Sequence, residues 1–542
     1  MSKFKNLKPA YRLLIFIIII SILFFFVFNQ TTSNNSKIDT TNYKTGTQRY
    51  KCTIKANNYE MKLQLNNETH TLSGNVKINI TNHTNKKISS VFLRNYACAL
   101  TGQKSVLSVS YQQTQLQFKE FGAKSALEDA DIKVDEKTKD IASIIQVNLN
   151  QPLLPDQSMT LQIEYSLNIP QKKDRFGYII KDNHYIYQLS YCFPQLSPYI
   201  DDEWSNTPYI ENAESDFNQL SNYSIHIDIP KNCMVIATGT ETKTGNTYHI
   251  EAKQVRSMAM IIADNMKKSS IKINNCYLNH YYPEYENMDS YNQYVLDSAK
   301  ETMQLNTKYF GQYPYKQLDI VSCYYSSAME YSGMIFLGLP DLQDLNQIHL
   351  SSYCDITQVV AHEVSHQWFG ITIGNDQYHE PFLDEAFAEY IEDIVFPLHS
   401  KTYQKAIDDD HKRLQMDIPY YTQSQFDKMM DQTIAQRQNE HGINEPYYCY
   451  LKYYKPTGLD HKIISADDYS TYVYTNGSYF LYELSKEMGE NEFYKMMQDY
   501  YQTYYLKEVT TVDFINMIYE HNDSLKIHQI INNYINQDYL KK

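Results

Sequence analysis

One short stretch, residues 355–390, carries residue types whose spacing suits hydrolysis assisted by a metal ion. His362 and His366 lie four residues apart, so on a helix both imidazoles project from one face and can bind a single ion. Neutral imidazole is a ligand that suits Zn²⁺. Glu363 lies beside the pair, next to the open coordination position of such an ion, and is a candidate general base. These residues predict a zinc site on a helix.

The third ligand is expected further along the chain, because a catalytic zinc site has three protein ligands and one position for water. A second helical pattern begins at Pro381 and carries Glu385, which follows His366 after eighteen intervening residues. Two helices packed side by side would bring Glu385 to the two histidines. We therefore predict one zinc ion per chain, bound by His362, His366 and Glu385. Glu389, one turn after Glu385, is expected to orient a ligand histidine.

The helix that carries the two histidines has recognisable limits in the sequence. Asp355 is expected to cap its N-terminus, and Gly370 is expected to end it. Between these limits the apolar residues recur at helical spacing. They are Val359, Val360, Val364 and Trp368.

The two segments together resemble a known signature. HEVSHQWFG, followed by the glutamate of FLDEAFAEY, is similar to the metal-binding motif of the gluzincin aminopeptidases, the family of aminopeptidase N. The second segment of that family reads WLNEGFA, so Phe382, Asp384 and Ala386 differ here. The resemblance implies a thermolysin-like α/β zincin catalytic domain, zinc as the cofactor and peptides with a free N-terminus as substrates. An accidental match, or a descendant that has lost its metal, is the alternative interpretation.

The segment SSAMEY resembles the GAMEN exopeptidase motif of the same family, with three matching residues. The match implies that Glu330 binds the substrate amino group, and a carboxylate at a strand edge can do so through a charge-assisted hydrogen bond. Backbone groups of Ser327 and Ala328 are expected to pair with the peptide as an added strand. A solvent-facing glutamate is the alternative for Glu330. The family also uses a second amine-binding residue from its β domain, for which Gln188 and Gln195 are nearby candidates.

Hydrolysis also needs a donor for the oxyanion that develops during attack on the carbonyl. The family uses a tyrosine that opens a helix, and YVYTNGSYFLYELSKEMG resembles that segment. The resemblance assigns the role to Tyr474, with Asn476 in the place of the family's lysine and Gly477 retained. Tyr472 and Tyr469 are the alternatives.

The N-terminus has a different character from the rest of the chain. Residues 13–28, LLIFIIIISILFFFVF, are apolar except for one serine, and basic residues precede them. This pattern predicts a single transmembrane helix with residues 1–12 in the cytoplasm, residues 29–49 as a linker and the catalytic part extracytoplasmic. A cleaved signal peptide is the alternative. The basic residues are Lys3, Lys5, Lys8 and Arg12.

The remaining chain divides into two predicted domains. Residues 50–267 show period-two alternation broken by Asn, Gly and Pro, which predicts an antiparallel β sandwich or saddle. The segment YSIHIDIPKNCMVIATG in this part also resembles the N-terminal β domain of the gluzincin aminopeptidases. Residues 268–542 read as a mixed α/β pattern that becomes mostly helical from about residue 384, and we assign them to the zinc peptidase catalytic domain.

Composition limits the choice of function. The formal net charge is −14, which argues against nucleic acid as a partner. Eight cysteines occur without a CxxC pair, so they predict no thiolate metal site, and their pairing is left open. The combined interpretation is a membrane-anchored zinc aminopeptidase. A zinc hydrolase of other specificity, such as an endopeptidase, and a metal-free receptor or adhesion protein that retains the fold are the alternatives.

Overall fold

A computed structural model describes most of the chain after the predicted linker. The described residues are 53–122, 142–200, 202–205, 209, 216–284, 288–325, 327–339, 352–378, 380–414, 421–441, 454–455, 458–459 and 470–535. The segment predicted to be a transmembrane helix, residues 13–28, lies outside them. Among the described helices, none combines the length and the apolar character that crossing a bilayer requires.

The first half of the described chain is built almost entirely of strands. Its strands are β1 (Ile54–Asn66), β2 (Thr71–Asn82), β3 (Ile88–Arg94), β4 (Val106–Tyr111), β5 (Thr114–Gln115), β6 (Phe118–Gly122), β7 (Ala142–Leu153), β8 (Ser158–Asn168), β9 (Phe176–Lys181), β10 (His184–Leu189), β11 (Gln195–Leu196), β12 (Tyr199–Ile200), β13 (Glu203–Trp204), β14 (Ser221–Asp228), β15 (Met234–Ala237), β16 (Thr240–Thr244), β17 (Thr247–Val255) and β18 (Met260–Ala263). One short helix, α1 (Tyr96–Thr101), interrupts them.

These strands form one large sheet, two four-stranded sheets and the two-stranded sheet β12-β13, and most of their buried apolar residues share one core. The large sheet has the order β16-β17-β14-β1-β2-β8-β4-β5, and the four-stranded sheets have the orders β15-β18-β10-β9 and β11-β3-β7-β6. Buried and exposed residues alternate along β1, as a strand with one buried face requires. The predicted β-rich N-terminal part is therefore present.

One strand pair departs from the antiparallel arrangement that the alternation predicted. β1 and β14 run parallel, with Asn58 opposite Asn222. A parallel pair needs a crossover connection, and here the twelve strands between them in the chain supply it. Alternation along a strand reports which face is buried and carries no information on the direction of its partner.

The second half places helices against a mixed sheet. Its strands are β19 (Met266–Ile273), β20 (Cys276–Pro283), β21 (Gln317–Cys323), β22 (Ala328–Tyr331), β23 (Met334–Gly338), β24 (Ile373–Gly374), β25 (Tyr454–Lys455), β26 (Gly458–Leu459) and β27 (Lys507–Glu508). Its helices are α2 (Met288–Tyr309), α3 (Tyr353–Ser365), α4 (Phe382–Tyr390), α5 (Phe396–His399), α6 (Lys401–Leu414), α7 (Gln423–His441), α8 (Asn476–Met488), α9 (Glu490–Thr503), α10 (Thr511–His521) and α11 (Leu525–Tyr534). Two π-helical turns, Ile391–Val395 and Ser470–Thr475, complete the list.

The five-stranded sheet of this half has the order β19-β20-β21-β23-β22, so β22 is an edge strand. β22 pairs antiparallel with β23, and its outer edge has no strand partner among the described residues. The strand-rich half ends at Ala263, the end of β18, and the helical half begins with β19 at Met266.

Helix α3 begins earlier than the sequence prediction. Ser352 is its N-cap, and the side-chain oxygen of Ser352 accepts a hydrogen bond from the backbone N–H of Asp355. The prediction of Asp355 as the cap was therefore wrong, because Asp355 already lies in the first turn. The helix ends at Ser365 with His366 as its C-cap, four residues before Gly370. Gly370 instead forms the turn that follows, with φ of 92°.

Two contacts fasten the C-terminal helices to the segments near α4. The Glu380 carboxylate accepts hydrogen bonds from the backbone N–H and the hydroxyl of Thr511, each at 2.8 Å, at the start of α10. Gly477 in α8 lies so close to α4 that an added Cβ would overlap the side chain of Ala386. A residue without a side chain is therefore required at the crossing of the two helices.

A buried arginine joins the two halves. The Arg256 guanidinium donates to the Glu508 carboxylate at 2.7 Å, to the Lys507 carbonyl at 2.8 Å and to the Ile371 carbonyl at 2.9 Å. It also donates to the Asn218 carbonyl in the first half at 3.1 Å. Since Arg256 follows β17, its hydrogen bonds tie the strand-rich half to the edge of the helical half.

Six described cysteines are buried free thiols, so they form no disulfides among themselves. They are Cys98, Cys192, Cys233, Cys276, Cys323 and Cys354.

Candidate metal centre and substrate cavity

The three predicted zinc ligands converge. The Nε2 atoms of His362 and His366 lie 3.0 Å apart, and Oε2 of Glu385 lies 3.2 Å from each of them. The pair of histidines comes from the last turn of α3, and Glu385 comes from the first turn of α4. All three side chains are buried. The two helices therefore present three donor atoms to one point.

This donor set fits a zinc ion. Nitrogen and oxygen ligands bound tetrahedrally to zinc at about 2.0–2.1 Å lie roughly 3.3 Å from one another, close to the spacing of the three donors. Two imidazoles and a carboxylate also match a common set of catalytic zinc ligands. His362, His366 and Glu385 would thus hold the ion, and all three line the same cavity.

The charges around the donor atoms also favour a cation. Burial by itself would lower the pKa of His362, but the carboxylates of Glu385 and Glu392 raise it well above its ordinary value. Burial acts in the same direction on His366, whose pKa the carboxylates of Glu330 and Glu385 raise to about 10. Burial would raise the pKa of Glu385, yet the two histidines hold it below its ordinary value. The carboxylates thus stabilise positive charge at this point.

A glutamate other than the predicted one lies beside Nδ1 of His362, whereas Nε2 of that ring faces the other two donor atoms. Nδ1 of His362 lies 2.9 Å from Oε2 of Glu392 and 3.7 Å from Oε2 of Glu389. Glu392 lies in the π-helical turn Ile391–Val395, which widens the helix directly after α4. The prediction placed Glu389 in this role, and at 3.7 Å its carboxylate is beyond hydrogen-bond range of the ring. The sequence after Glu385, read with the spacing of a regular α-helix, does not predict this wider turn.

Glu363 lies in the wall of the same cavity, next to the donor atoms. Its side chain is 7% exposed, and burial raises its pKa to about 7. The carboxylate oxygen Oε2 is buried and has no hydrogen-bond partner among the described residues. A carboxylate with a pKa near neutrality can both accept and return a proton.

Tyr474 lies against the third ligand. Its hydroxyl donates to Oε1 of Glu385 at 2.7 Å, and its ring stacks on the His362 ring with centroids 6.0 Å apart. Tyr474 comes from the π-helical turn Ser470–Thr475 that leads into α8, and it lines the cavity. Tyr472 does not line the cavity, and Tyr469 lies outside the described residues.

Glu330 enters the cavity from the edge strand β22. Its side chain is 7% exposed, so it does not face bulk solvent. Burial raises its pKa to about 8, with the carboxylates of Glu363 and Glu385 adding to that effect and His366 opposing it. Gln367, next to His366, holds the strand in place, since its side chain bonds the Tyr331 carbonyl at 3.0 Å and the Gly333 N–H at 2.9 Å.

Ser327 and Ala328 line the cavity just before Glu330. Ser327 is exposed and Ala328 is partly buried. Both lie at the start of the free edge of β22, where an extended peptide could add as a further strand.

Neither predicted second amine-binding residue lies in the cavity. The Gln188 amide donates to the Asp174 carbonyl, and Gln195 lines a separate small cavity with Tyr59 and Tyr223. Gln188 lies in β10 and Gln195 in β11, and both side chains are buried inside the strand-rich half.

Three residues of the cavity wall had no sequence prediction: Arg175, Tyr325 and Glu392. Tyr325 directly precedes the segment SSAMEY, which is the only signal that the sequence offers for it. Arg175 comes from the strand-rich half, more than a hundred residues before Glu330. Nothing in the local pattern around Arg175 indicates a site.

Solved structures share this fold. An M1 zinc metallopeptidase from Deinococcus radiodurans has a TM-score of 0.54 and 14% sequence identity, over 90% of this chain and 95% of that one. Yeast LTA4 hydrolase in complex with bestatin has a TM-score of 0.58 and 17% identity, over 89% of this chain and 66% of that one. This chain therefore shares the fold of these two proteins, and its histidine and glutamate donor set is suited to a zinc ion.

The sequence comparisons find a matching peptidase domain. Residues 294–534 match the peptidase family M1 domain. Endoplasmic reticulum aminopeptidase 1 of Mus musculus is 31% identical over 146 residues, which are 25% of this chain and 15% of the mouse protein. The chain therefore spans a small part of the length of such curated relatives. The predicted resemblance to the gluzincin aminopeptidases is confirmed.

Proposed function

We propose that this protein is a zinc-dependent aminopeptidase that removes the first residue from peptides, anchored to a membrane by residues 13–28 with its catalytic part extracytoplasmic. The observation that carries the proposal is the meeting of His362, His366 and Glu385 beside Glu330 in one cavity of about 310 Å³. Glu330, a buried carboxylate in the wall of the same cavity, is a suitable partner for an ammonium group. That arrangement favours cleavage next to a terminus.

The reaction is hydrolysis of a peptide bond. When bound, zinc supplies Lewis-acid polarisation of the scissile carbonyl and lowers the pKa of a water molecule. Glu363 accepts a proton from the attacking water and delivers it to the leaving amine as the C–N bond breaks. The Tyr474 hydroxyl donates a hydrogen bond to the oxygen that gains negative charge. The water oxygen stays on the new carboxylate, both water protons end on the leaving amine, and Glu363 returns to its starting state.

Glu330 provides the specificity for a free N-terminus. An ammonium group that binds the Glu330 carboxylate forms a charge-assisted hydrogen bond in a site with little water. The peptide would then lie along the free edge of β22, pairing with backbone groups of Ser327 and Ala328. The first peptide bond is thereby placed at the metal.

One observation favours a different specificity. Neither Gln188 nor Gln195 reaches the cavity, so the second amine-binding group that the family resemblance implies is not among the predicted residues. With Glu330 alone binding the amine, an endopeptidase remains the second candidate. A metal-free receptor is not favoured, because the donor set is complete.

The test uses a panel of aminoacyl 4-nitroanilides on the zinc-loaded protein, with and without a chelator. Hydrolysis that the chelator abolishes and added zinc restores supports the proposal. The same peptide with a free and with an acetylated N-terminus separates the two specificities. Equal rates on the two forms would exclude the aminopeptidase, and rates that a chelator does not change would exclude the metal mechanism.

A further inference from the structure

Arg175 lies in the wall of the cavity that holds the zinc ligands and Glu330. Among the described residues that line this cavity it is the only arginine or lysine. Five carboxylates share the cavity with it: Glu330, Glu363, Glu385, Glu389 and Glu392. An arginine in such surroundings changes which substrates the cavity can accept, because the carboxylates by themselves repel an anionic substrate.

The backbone and side chain of Arg175 are held by groups from both halves of the chain. The Arg175 carbonyl accepts hydrogen bonds from the Ser190 N–H at 3.0 Å and the Ser190 hydroxyl at 2.8 Å. The guanidinium donates to the Tyr325 hydroxyl at 3.2 Å and to the Tyr191 hydroxyl at 3.4 Å. Tyr191 in turn donates to Asp216 at 3.0 Å. Arg175 of the strand-rich half is thus bonded to Tyr325, which lies in the segment that leads into β22.

The guanidinium also lies over aromatic rings. Its central carbon is 5.9 Å from the centroid of the Tyr325 ring and 6.0 Å from that of the Tyr191 ring. Contacts of this kind stabilise an arginine cation without neutralising its charge. A planar fork of N–H donors in a fixed orientation is the geometry that binds a carboxylate through two parallel hydrogen bonds.

We propose that Arg175 binds a carboxylate of the substrate and is a specificity-determining residue of this cavity. The inference rests on the proposed aminopeptidase function. Glu330 binds the α-ammonium group and Arg175, in the wall of the same cavity, binds a negative charge, so the cavity accepts a substrate that carries both charges. The carboxylate is either the side chain of a first aspartate or glutamate, or the free C-terminus of a di- or tripeptide.

The experiment compares kcat/KM for the wild type, Arg175→Gln and Arg175→Lys. Glutamyl and leucyl 4-nitroanilides differ in the side chain and have no C-terminal carboxylate. Leucyl tripeptides with a free or an amidated C-terminus differ only in that carboxylate. Lys172→Gln is the matched control, because Lys172 loses the same charge three residues away, is 47% exposed and does not line the cavity.

If the side chain is the source of the carboxylate, Arg175→Gln lowers the glutamyl-to-leucyl ratio of kcat/KM by about ten- to a hundredfold. If the C-terminus is the source, the ratio of free to amidated tripeptide falls by that factor instead. Arg175→Lys should give a kcat/KM ratio between those of the wild type and Arg175→Gln, since lysine keeps the positive charge but lacks the paired N–H donors of the guanidinium. Lys172→Gln should leave both ratios as in the wild type. Equal losses on all substrates would overturn the proposal and assign Arg175 to support of Tyr325 and Tyr191.

Two further measurements keep the outcome decisive. Should Arg175→Gln not fold, as judged by circular dichroism, the ratios for Arg175→Lys decide, and unchanged ratios for both pairs of substrates would overturn the proposal.

If the zinc-loaded wild type hydrolyses none of the substrates, the proposed function fails by itself. Dissociation constants for free glutamate and for leucyl-leucine, measured by calorimetry on wild type and Arg175→Gln, then test Arg175 without turnover. An increase of tenfold or more for either ligand supports it, and unchanged constants for both refute it.

Discussion

Single residues decide the chemistry of the cavity, and Glu363 is the one best placed to move a proton. Burial raises its pKa to about 7, so the carboxylate is near the midpoint of titration at neutral pH. We expect Glu363→Gln to lower kcat by about 10²–10⁴-fold. Zinc should remain bound, because Glu363 is not among the three converging donors. Steady-state kinetics with metal analysis of the purified variant checks both points, and a fully active variant would remove Glu363 from its role.

The contact between His362 and Glu392 predicts a difference between two neighbouring glutamates. Glu392→Gln should weaken zinc affinity by about ten- to a hundredfold, because the ring of His362 loses the carboxylate that orients it. Glu389→Gln should have a smaller effect, since its carboxylate lies 3.7 Å from the ring. Competition with a zinc-binding dye measures both affinities. The reverse order would show that the π-helical turn does not govern the orientation of His362.

The charge of the metal-free site predicts how zinc uptake depends on pH. Carboxylates raise the pKa of His366 to about 10 against the opposing effect of burial, so the metal-free imidazole is protonated at neutral pH. A ligand imidazole must lose that proton, and zinc affinity should therefore rise as pH increases from 6 to 9, over which range the fraction of deprotonated His366 grows. Calorimetry in buffers of different ionisation enthalpy should show about one or more protons released per zinc. A binding enthalpy independent of the buffer would contradict this.

At the scale of elements, α4 and α8 cross closely at Gly477 and Ala386, next to the ligand Glu385. Gly477→Ala would force the new Cβ against Ala386, one residue after the ligand Glu385. We expect the variant to lose about 1–3 kcal/mol of stability and to lose activity as Tyr474 and Glu385 move apart. Thermal unfolding and kcat report the two effects.

A second-site change controls for any general effect of substituting a helical glycine. In the double variant Gly477→Ala with Ala386→Gly, the overlapping methyl group is removed from the other helix. Stability and kcat should both return toward the wild type. If the double variant instead loses as much stability and activity as the two single variants added together, the contact between the helices is not the cause.

The elements themselves were predictable to different degrees. The i, i+4 histidines and the later Glu385 indicated two helices with converging ligands, because spacing along one helix is a local property. The capping by Ser352 was missed, since Asp355 is an equally good capping residue and only the coordinates distinguish them. The π-helical turn that brings Glu392 to His362 has no sequence period of its own. Arg175 was missed because its place depends on how two distant parts of the chain meet.

For the whole molecule, Arg256 is one buried link between the halves. Arg256→Met should destabilise the protein by about 3 kcal/mol or more, because Glu508 and three carbonyl groups lose a buried charged partner. Chemical denaturation followed by tyrosine fluorescence and by circular dichroism measures the loss. Lys267→Ala is the control, since its ion pair with Glu284 is exposed and should contribute little. An unchanged midpoint for Arg256→Met would mean that the halves hold together without it.

Alternation and helical period predicted the division into a strand-rich half and a helical half, because each pattern reflects burial of one face. They did not predict that β1 and β14 pair in parallel, which depends on the path of more than a hundred intervening residues. The membrane anchor at residues 13–28 stays a prediction from the apolar run alone.

The bonds from Glu380 to Thr511 have a consequence for biosynthesis. A polypeptide leaves the ribosome N-terminus first, and Thr511 follows the ligand Glu385 by 126 residues. Until Thr511 has been translated, the Glu380 carboxylate has neither of the two donors that it binds at the start of α10. The nascent chain thus acquires these two bonds beside the metal centre only after residue 511 has been translated, and firm binding of the ion is expected to follow that step.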